Sequence, residues 1–345
     1  MRKVSRRSVL KAGGGAAAVL AAAAGGPLIR VRTTRADDIA PEPPPEPLGR
    51  VTSAFLNVRQ QPTTQSDITH QLLQDEVLAL YDQTIGEAVM AHNPIWYRTD
   101  GGHVYSSYVQ PIEDVKNAAE PERAAEKFWG EVTVPYTDSR MRPDAAAERY
   151  MRLYYTGVFR VIDAAADADG QWWYRLQDGV TYTPGPYVPA ADIRRIDPSE
   201  LAPLSPDVVD KRVEVSLAAQ TMTAYENGAP VMTCRVSSGY GDFGTPIGTH
   251  TVLFKYPTAR MTGGEGEDAY DLPGVAFPTF LTWEGVAVHA AYWHNDFGRP
   301  RSHGCLNVPA SVARWVWRWT SPAAPYEPAS YFTPRGMRGT QFVVF

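Results

Sequence analysis

Two stretches in the middle of this chain repeat one pattern, and the repeat limits the folds open to it. The first runs Ile95-Trp96-Tyr97-Arg98, then Gly101-Gly102-His103-Val104-Tyr105-Ser106-Ser107-Tyr108-Val109. The second runs Trp172-Trp173-Tyr174-Arg175, then Gly179-Val180-Thr181-Tyr182 and Pro186-Tyr187-Val188. Each reads as strand, turn, strand, with aromatic and β-branched residues on either side of a glycine free to take positive φ. Similarity at this spacing predicts two copies of one small β-module. The 29 prolines and 28 glycines are spread along the chain, which favours many short strands and turns over long helices.

A length of 345 residues allows two or three domains. The chain carries 33 basic and 38 acidic residues, a formal net charge of -5, which excludes the basic footprint of a nucleic-acid binder. Only two cysteines are present, Cys234 and Cys305, too few for a disulfide scaffold.

The N-terminus has the form of a targeting segment. Arg2, Lys3, Arg6 and Arg7 form a basic start, and Val9 to Ala24 is apolar but mostly Ala and Gly. Ser5-Arg6-Arg7-Ser8-Val9-Leu10-Lys11 resembles a twin-arginine export signal. Residues 1–36 are therefore expected to be a signal peptide cut near Thr34-Arg35-Ala36, with no stable membrane insertion afterwards and a final place in the cell envelope, the wall or outside the cell. A retained anchor is the competing reading, but the apolar run is only marginally long enough to span ~30 Å of hydrocarbon. Residues 37–48, with Pro41-Glu42-Pro43-Pro44-Pro45-Glu46-Pro47, read as an extended linker.

The rest divides by composition. The first module is expected over 49–112 and the second, more degenerate, over 128–203, with a polar, Ala-rich helix or linker between them. Pro198 to Pro206 marks the next boundary, and a last region covers 211–345. There Arg212 to Leu217 alternates as a strand, and Asn227-Gly228 signals a tight hairpin whose return strand holds Cys234. Such a cysteine is expected to be a small buried core residue. Val312, Trp315, Val316 and Trp319 fall at i, i+3, i+4 and i+7, the apolar stripe of one short helix.

The chemistry concentrates ahead of that helix. His289 ends the apolar run Gly285-Val286-Ala287-Val288, and Ser302-His303-Gly304-Cys305-Leu306-Asn307 follows. A thiol has a free pKa of ~8.5 and attacks carbonyls as thiolate, so a Cys/His pair suggests covalent acyl transfer. Gly304 allows the tight backbone that lets successive N–H groups face an oxyanion. From residue types alone, His289, His294, His303 and Cys305 also suit zinc, with Asp296 the only nearby carboxylate.

Ser302-His303-Gly304-Cys305-Leu306-Asn307 with upstream His289 resembles the active-site signature of the L,D-transpeptidase (YkuD-like) family. Ser237-Ser238-Gly239 and Thr245-Pro246-Ile247-Gly248-Thr249 are similar to its earlier landmarks. The first module, with Leu56-Asn57-Val58-Arg59-Gln60-Gln61-Pro62, resembles a bacterial SH3-type domain. The resemblance implies a mostly β chain: two small SH3-like barrels, then a β-rich catalytic domain with a short helix after the cysteine. It implies that Cys305 attacks a tetrapeptide stem of peptidoglycan, releases D-Ala and passes the acyl group to an amine of a neighbouring stem, without cofactor or metal. His289 would be the base, paired at rest as imidazolium with a Cys305 thiolate. His303, Gly304 and Cys305 would supply the oxyanion N–H groups, and Ser302 and Asn307 would brace the loop and bind substrate. Tyr270, Trp293 and His294 would line the groove, under a mobile lid from Tyr256 to Leu272. Ala290 and Asn307 depart from the residues common in the family. Water as acceptor would make the protein an L,D-carboxypeptidase; an inert wall-binding protein is the non-enzymatic alternative. An NlpC-type peptidase is disfavoured because its cysteine precedes its histidine.

Overall fold

Along Lys211–Ser216 buried and half-buried side chains alternate, with Val213 and Val215 turned inward. That period makes it an interior strand of a six-stranded sheet. The computed structural model describes residues 30–31, 48–178, 183–266, 269–327 and 330–345. On one side of Lys211–Ser216 lies Thr221–Glu226, and Asn227-Gly228 then turns the chain back into Ala229–Arg235. Both turn residues have positive φ, 49° and 79°, as a two-residue hairpin requires. On the other side the C-terminal strand Gln341–Val344 runs parallel to it, followed by Gly248–Thr251. The backbone of Arg30–Val31 pairs with Met232 and Thr233 at the far edge. The rest of the expected signal peptide, and the linker up to residue 47, lie outside the described residues.

A five-stranded sheet packs nearby, in the order Leu306–Val308, Ala287–Ala290, Thr279–Phe280, Phe254–Lys255, Tyr331–Phe332. The expected helix spans Ala310–Trp319 and buries Val312, Val316 and Trp319, with Trp315 packed at the edge. Trp317, outside the expected stripe, is buried as well. Its partners include Val213, Val215, Met222, Val288, Ala290, Leu306 and Val308, so one core joins both sheets and the helix. Cys234 is buried in the same core, and burial pushes its thiol up to about 12. The helix ends on a buried amine, whose pKa burial pulls well below the usual lysine range: Lys255 Nζ donates to the carbonyls of Trp317 at 2.8 Å, Thr320 at 2.6 Å and Pro322 at 2.9 Å. These groups would otherwise be orphaned at a helix C-terminus.

The two upstream segments share one order of elements. In each, a long hairpin strand (Asp82–Met90; Val158–Ala166) pairs with the Trp-Tyr-Arg strand (Asn93–Thr99; Trp172–Asp178). A further antiparallel strand leads into a short 3-10 turn, Ser106–Tyr108 or Ala190–Asp192. The last strand then returns beside the first: Val109–Ile112 beside Leu48–Val51, and Ile193–Arg195 beside Phe128–Val132. The expectation of small barrels needs correcting, because among the described residues no sheet closes. The first segment divides into an open five-stranded and an open three-stranded sheet; the second forms one open seven-stranded sheet. Irregular register between Ile85 and Met90, and between Val161 and Asp163, bends these long strands without joining the outer edges. The glycine turn at 179–182 lies outside the described residues. Between the segments, Pro121–Glu126 is a short helix. Among the described residues, no helix is long and apolar enough to cross a membrane.

Candidate active site

Period two along Ala287–Ala290 decides where His289 points. Val288 and Ala290 enter the main core, so His289 and Ala287 face the other way. The adjacent strand Leu306–Val308 runs parallel, with His289 opposite Asn307 and Val288 opposite Leu306. Leu306 and Val308 enter the same core. Continuing that alternation one residue back puts Cys305 on the His289 face, diagonal to the imidazole across two paired strands. Cys305 is half-buried and packs against Phe254, Phe280 and Ala287.

His289 Nδ1 lies 2.9 Å from the carbonyl oxygen of Ala290. A carbonyl only accepts, so Nδ1 carries the proton and Nε2 is left with its lone pair. The backbone therefore orients the ring, and Ala290 needs no hydroxyl. Burial holds the imidazole down to about 4 and pushes the Cys305 thiol up to about 11, opposed in the latter by the Ala287 N–H. The thiol lies 3.5 Å from the Gly285 carbonyl. Both directions favour the neutral forms and run against the expected resting ion pair.

The earlier landmarks fold under the cysteine loop. Ser237 exchanges two backbone hydrogen bonds with Asn307, each 2.9 Å, and the Ser238 carbonyl accepts from the N–H groups of Arg301 and Ser302. Thr245 Oγ1 accepts from Gly239 N–H at 2.9 Å and donates to the Gly304 carbonyl at 2.8 Å. Gly239 cannot be larger: a Cβ there would come within 2.0 Å of the Phe243 carbonyl and 2.9 Å of Gly304 Cα. Gly304 has φ +115°, a conformation open to glycine. Ser302 Oγ donates to the Cys305 carbonyl and accepts from Gly304 N–H at 3.2 Å. Among the described residues the backbone N–H groups of His303 and Cys305 have no intramolecular partner, so these two, rather than Gly304, remain for an oxyanion.

The other expected site residues separate into rim and floor. The His303 ring lies between Phe243, Tyr270 and Tyr240, with centroids at 4.5, 5.0 and 5.7 Å. Tyr270 belongs to the expected lid, an antiparallel pair of strands, Thr258–Gly263 and Tyr270–Ala276, with residues 267–268 outside the described set. The lid is tied at its root: Thr258 Oγ1 donates to the Val158 carbonyl, and Tyr292 OH donates to the Pro273 carbonyl at 2.9 Å. Trp293 is half-buried, with its ring 5.8 Å from that of His289, and lines a cleft of about 370 Å³ with Arg50, Arg152, Tyr154 and Asp271.

His294 and Asn307 are buried, against the expectation that they touch substrate. Asp296 N–H donates to His294 Nδ1 at 3.2 Å, which leaves the proton on Nε2, 3.1 Å from the Asn307 side-chain amide. That contact is a hydrogen bond when the amide turns its oxygen toward His294. Burial holds His294 down to about 3. Both nitrogens are thus committed, and among the described residues no group of three or more His, Cys, Asp or Glu is placed to hold a metal.

Residues 210–340 match the L,D-transpeptidase catalytic-domain family, YkuD. No curated protein matches the chain. Among solved structures, a mutant L,D-transpeptidase of Enterococcus faecium is 26% identical over 40% of this chain and 50% of its own, with a TM-score of 0.32. The chain thus spans about half the length of that protein. The catalytic domain of the E. faecium L,D-transpeptidase acylated by ertapenem is 25% identical over 39% of this chain and 97% of its own, with a TM-score of 0.29. An L,D-transpeptidase from Mycobacterium smegmatis is 19% identical over 78% and 99%, with a TM-score of 0.32.

Proposed function

We propose that this protein is a peptidoglycan L,D-transpeptidase with Cys305 as nucleophile and His289 as base. The observation that carries the reading is the parallel register of Ala287–Ala290 with Leu306–Val308. It sets both residues on one face, while the Ala290 carbonyl fixes the imidazole with Nε2 unprotonated. The family match over 210–340 supplies the substrate class, the stem peptides of the cell wall.

In this reading the thiol gives its proton to His289 Nε2 as sulfur attacks the carbonyl before the terminal D-Ala of a tetrapeptide stem. A C–S bond forms, and the oxyanion meets the N–H groups of His303 and Cys305. The C–N bond to D-Ala then breaks, and the departing amine takes the proton from His289. An amine of a second stem gives a proton back to His289 and attacks the thioester. The C–S bond breaks, the sulfur recovers its proton, and an L,D cross-link remains. Ser302 and Asn307 brace this loop, and Tyr270 and Trp293 face the groove.

The same reading makes residues 1–36 a twin-arginine signal and the chain an envelope protein. The upstream segments are then SH3-like modules, supported by their repeated element order and opening motif. Purified protein incubated with tetrapeptide muropeptides tests the reaction by mass spectrometry. Dimers formed with loss of D-Ala support it. Tripeptides alone would make the protein a carboxypeptidase, and unchanged substrate would make it an inert binder.

A further inference from the structure

A hairpin turn of the first β-segment meets the loop that leads to the cysteine. Ala91 and His92 form the tip of the hairpin between Asp82–Met90 and Asn93–Thr99. His92 Nε2 lies 2.9 Å from Asp296 Oδ1. Asp296 has no exposed surface, and its other oxygen accepts from Arg299 and, at 3.2 Å, from Arg301. Arg235 Nη1 donates to the His92 carbonyl at 2.7 Å. Gly298, at φ +119°, lies under the His92 ring, where a Cβ would come within 2.8 Å. Arg50 Nη2 donates to the Tyr292 carbonyl at 2.6 Å, and Asn295 Nδ2 to the Ser106 carbonyl at 3.2 Å.

Apart from Arg235, everything that meets the first segment this way belongs to Tyr292–Arg301, the segment joining the His289 strand to the Cys305 loop. Asp296 passes the placement inward. Its N–H fixes the His294 tautomer, and His294 meets Asn307, which stands opposite His289. The Asp296 carbonyl accepts from Ser237 Oγ at 2.9 Å, and Ser237 holds the Asn307 backbone.

We propose that His92 is a positioning residue for the Cys305 centre, acting through Asp296, His294 and Asn307. The first β-segment is then part of the active-site scaffold as well as an appendage to it. An aspartate buried here needs donors on both oxygens, and His92, with Ser107 of the same segment, donates from outside the catalytic region. The proposal rests on the reading of Cys305 as nucleophile.

The test uses the full chain with His92→Phe, which keeps ring volume over Gly298 but donates nothing, and His92→Gln, which keeps a donor. His70→Ala, on an exposed strand of the same segment, is the control. Two rates are read: alkylation of Cys305 by iodoacetamide at neutral pH, and kcat and KM for D-Ala release. His92→Phe should slow alkylation and kcat by about tenfold with KM nearly unchanged, and His92→Gln should recover most of the loss. A folded His92→Phe with unchanged alkylation would overturn the proposal, as would a loss confined to KM or a failure of His92→Gln to recover. If wild type released no D-Ala, the proposed reaction would fail, while the alkylation arm would still decide the role of His92.

Discussion

His289 donates through Nδ1 to the carbonyl of Ala290, its neighbour in the chain, at 2.9 Å. A ring fixed by its own strand cannot swing away to find a charged partner, and burial keeps it neutral to about pH 4. The acid limb of kcat/KM for D-Ala release should therefore lie well below 6.5, near pH 4 to 5. His289→Ala should remove that limb together with nearly all turnover. An acid limb at 6.5 in wild type would show that the imidazole is not desolvated as the structure has it.

Cys234 and Cys305 are both free, but only Cys305 faces the His289 side. Cys305→Ala should abolish D-Ala release without unfolding, and Cys234→Ala should leave it largely intact. A carbapenem, as a strained acyl donor, should add once to wild type and not to Cys305→Ala by intact mass. Equal adducts on both proteins would remove the thiol from its assigned role.

Acid should destabilise the fold in two windows. His289 and His294 are held neutral, so the unfolded chain binds more protons below its ordinary histidine pKa. Stability is then full above about 6.5 and falls as pH drops toward 4 and 3. For His289 alone the cost is on the order of 3 kcal/mol. Asp296, held well below the usual carboxylate range by His92 and Arg299, acts lower: its stabilisation is present above about 4 and lost beneath. Thermal midpoints measured against pH should fall between 6.5 and 4, and more shallowly in His294→Asn. Parallel curves for the two proteins would contradict the assignment.

Lys255→Met keeps the stem and removes the donor nitrogen. The carbonyls of Trp317, Thr320 and Pro322 would then be buried without their donor. Denaturant unfolding should show a loss on the order of 3 kcal/mol. A loss under about 0.5 kcal/mol would mean that water reaches those carbonyls instead.

Local signals in the sequence carried much of this. The Asn227-Gly228 hairpin and the helix around Val312 and Val316 depend on neighbours in the chain, and both are found. The parallel pairing of Ala287–Ala290 with Leu306–Val308 depends on backbone partners that no local pattern specifies, and it determines which residues share a face with Cys305. The family resemblance set His294 and Asn307 against substrate, but the contact between imidazole and side-chain amide lets both be buried. His92 carries no motif at all. Its role as a contact to Asp296 appears only when a hairpin tip from one segment meets a loop from another.

Lys211–Ser216 opens the catalytic region, yet its parallel neighbour, Gln341–Val344, closes it. That sheet stays incomplete until this strand is available, and among the described residues Gly248–Thr251 pairs with Gln341–Val344 alone. Such pairing between distant parts of the sequence makes formation of this region slow and late. Until Gln341–Val344 docks, Lys211–Ser216 lacks its parallel partner and the six-stranded sheet stays open on that side, however early its hairpins form.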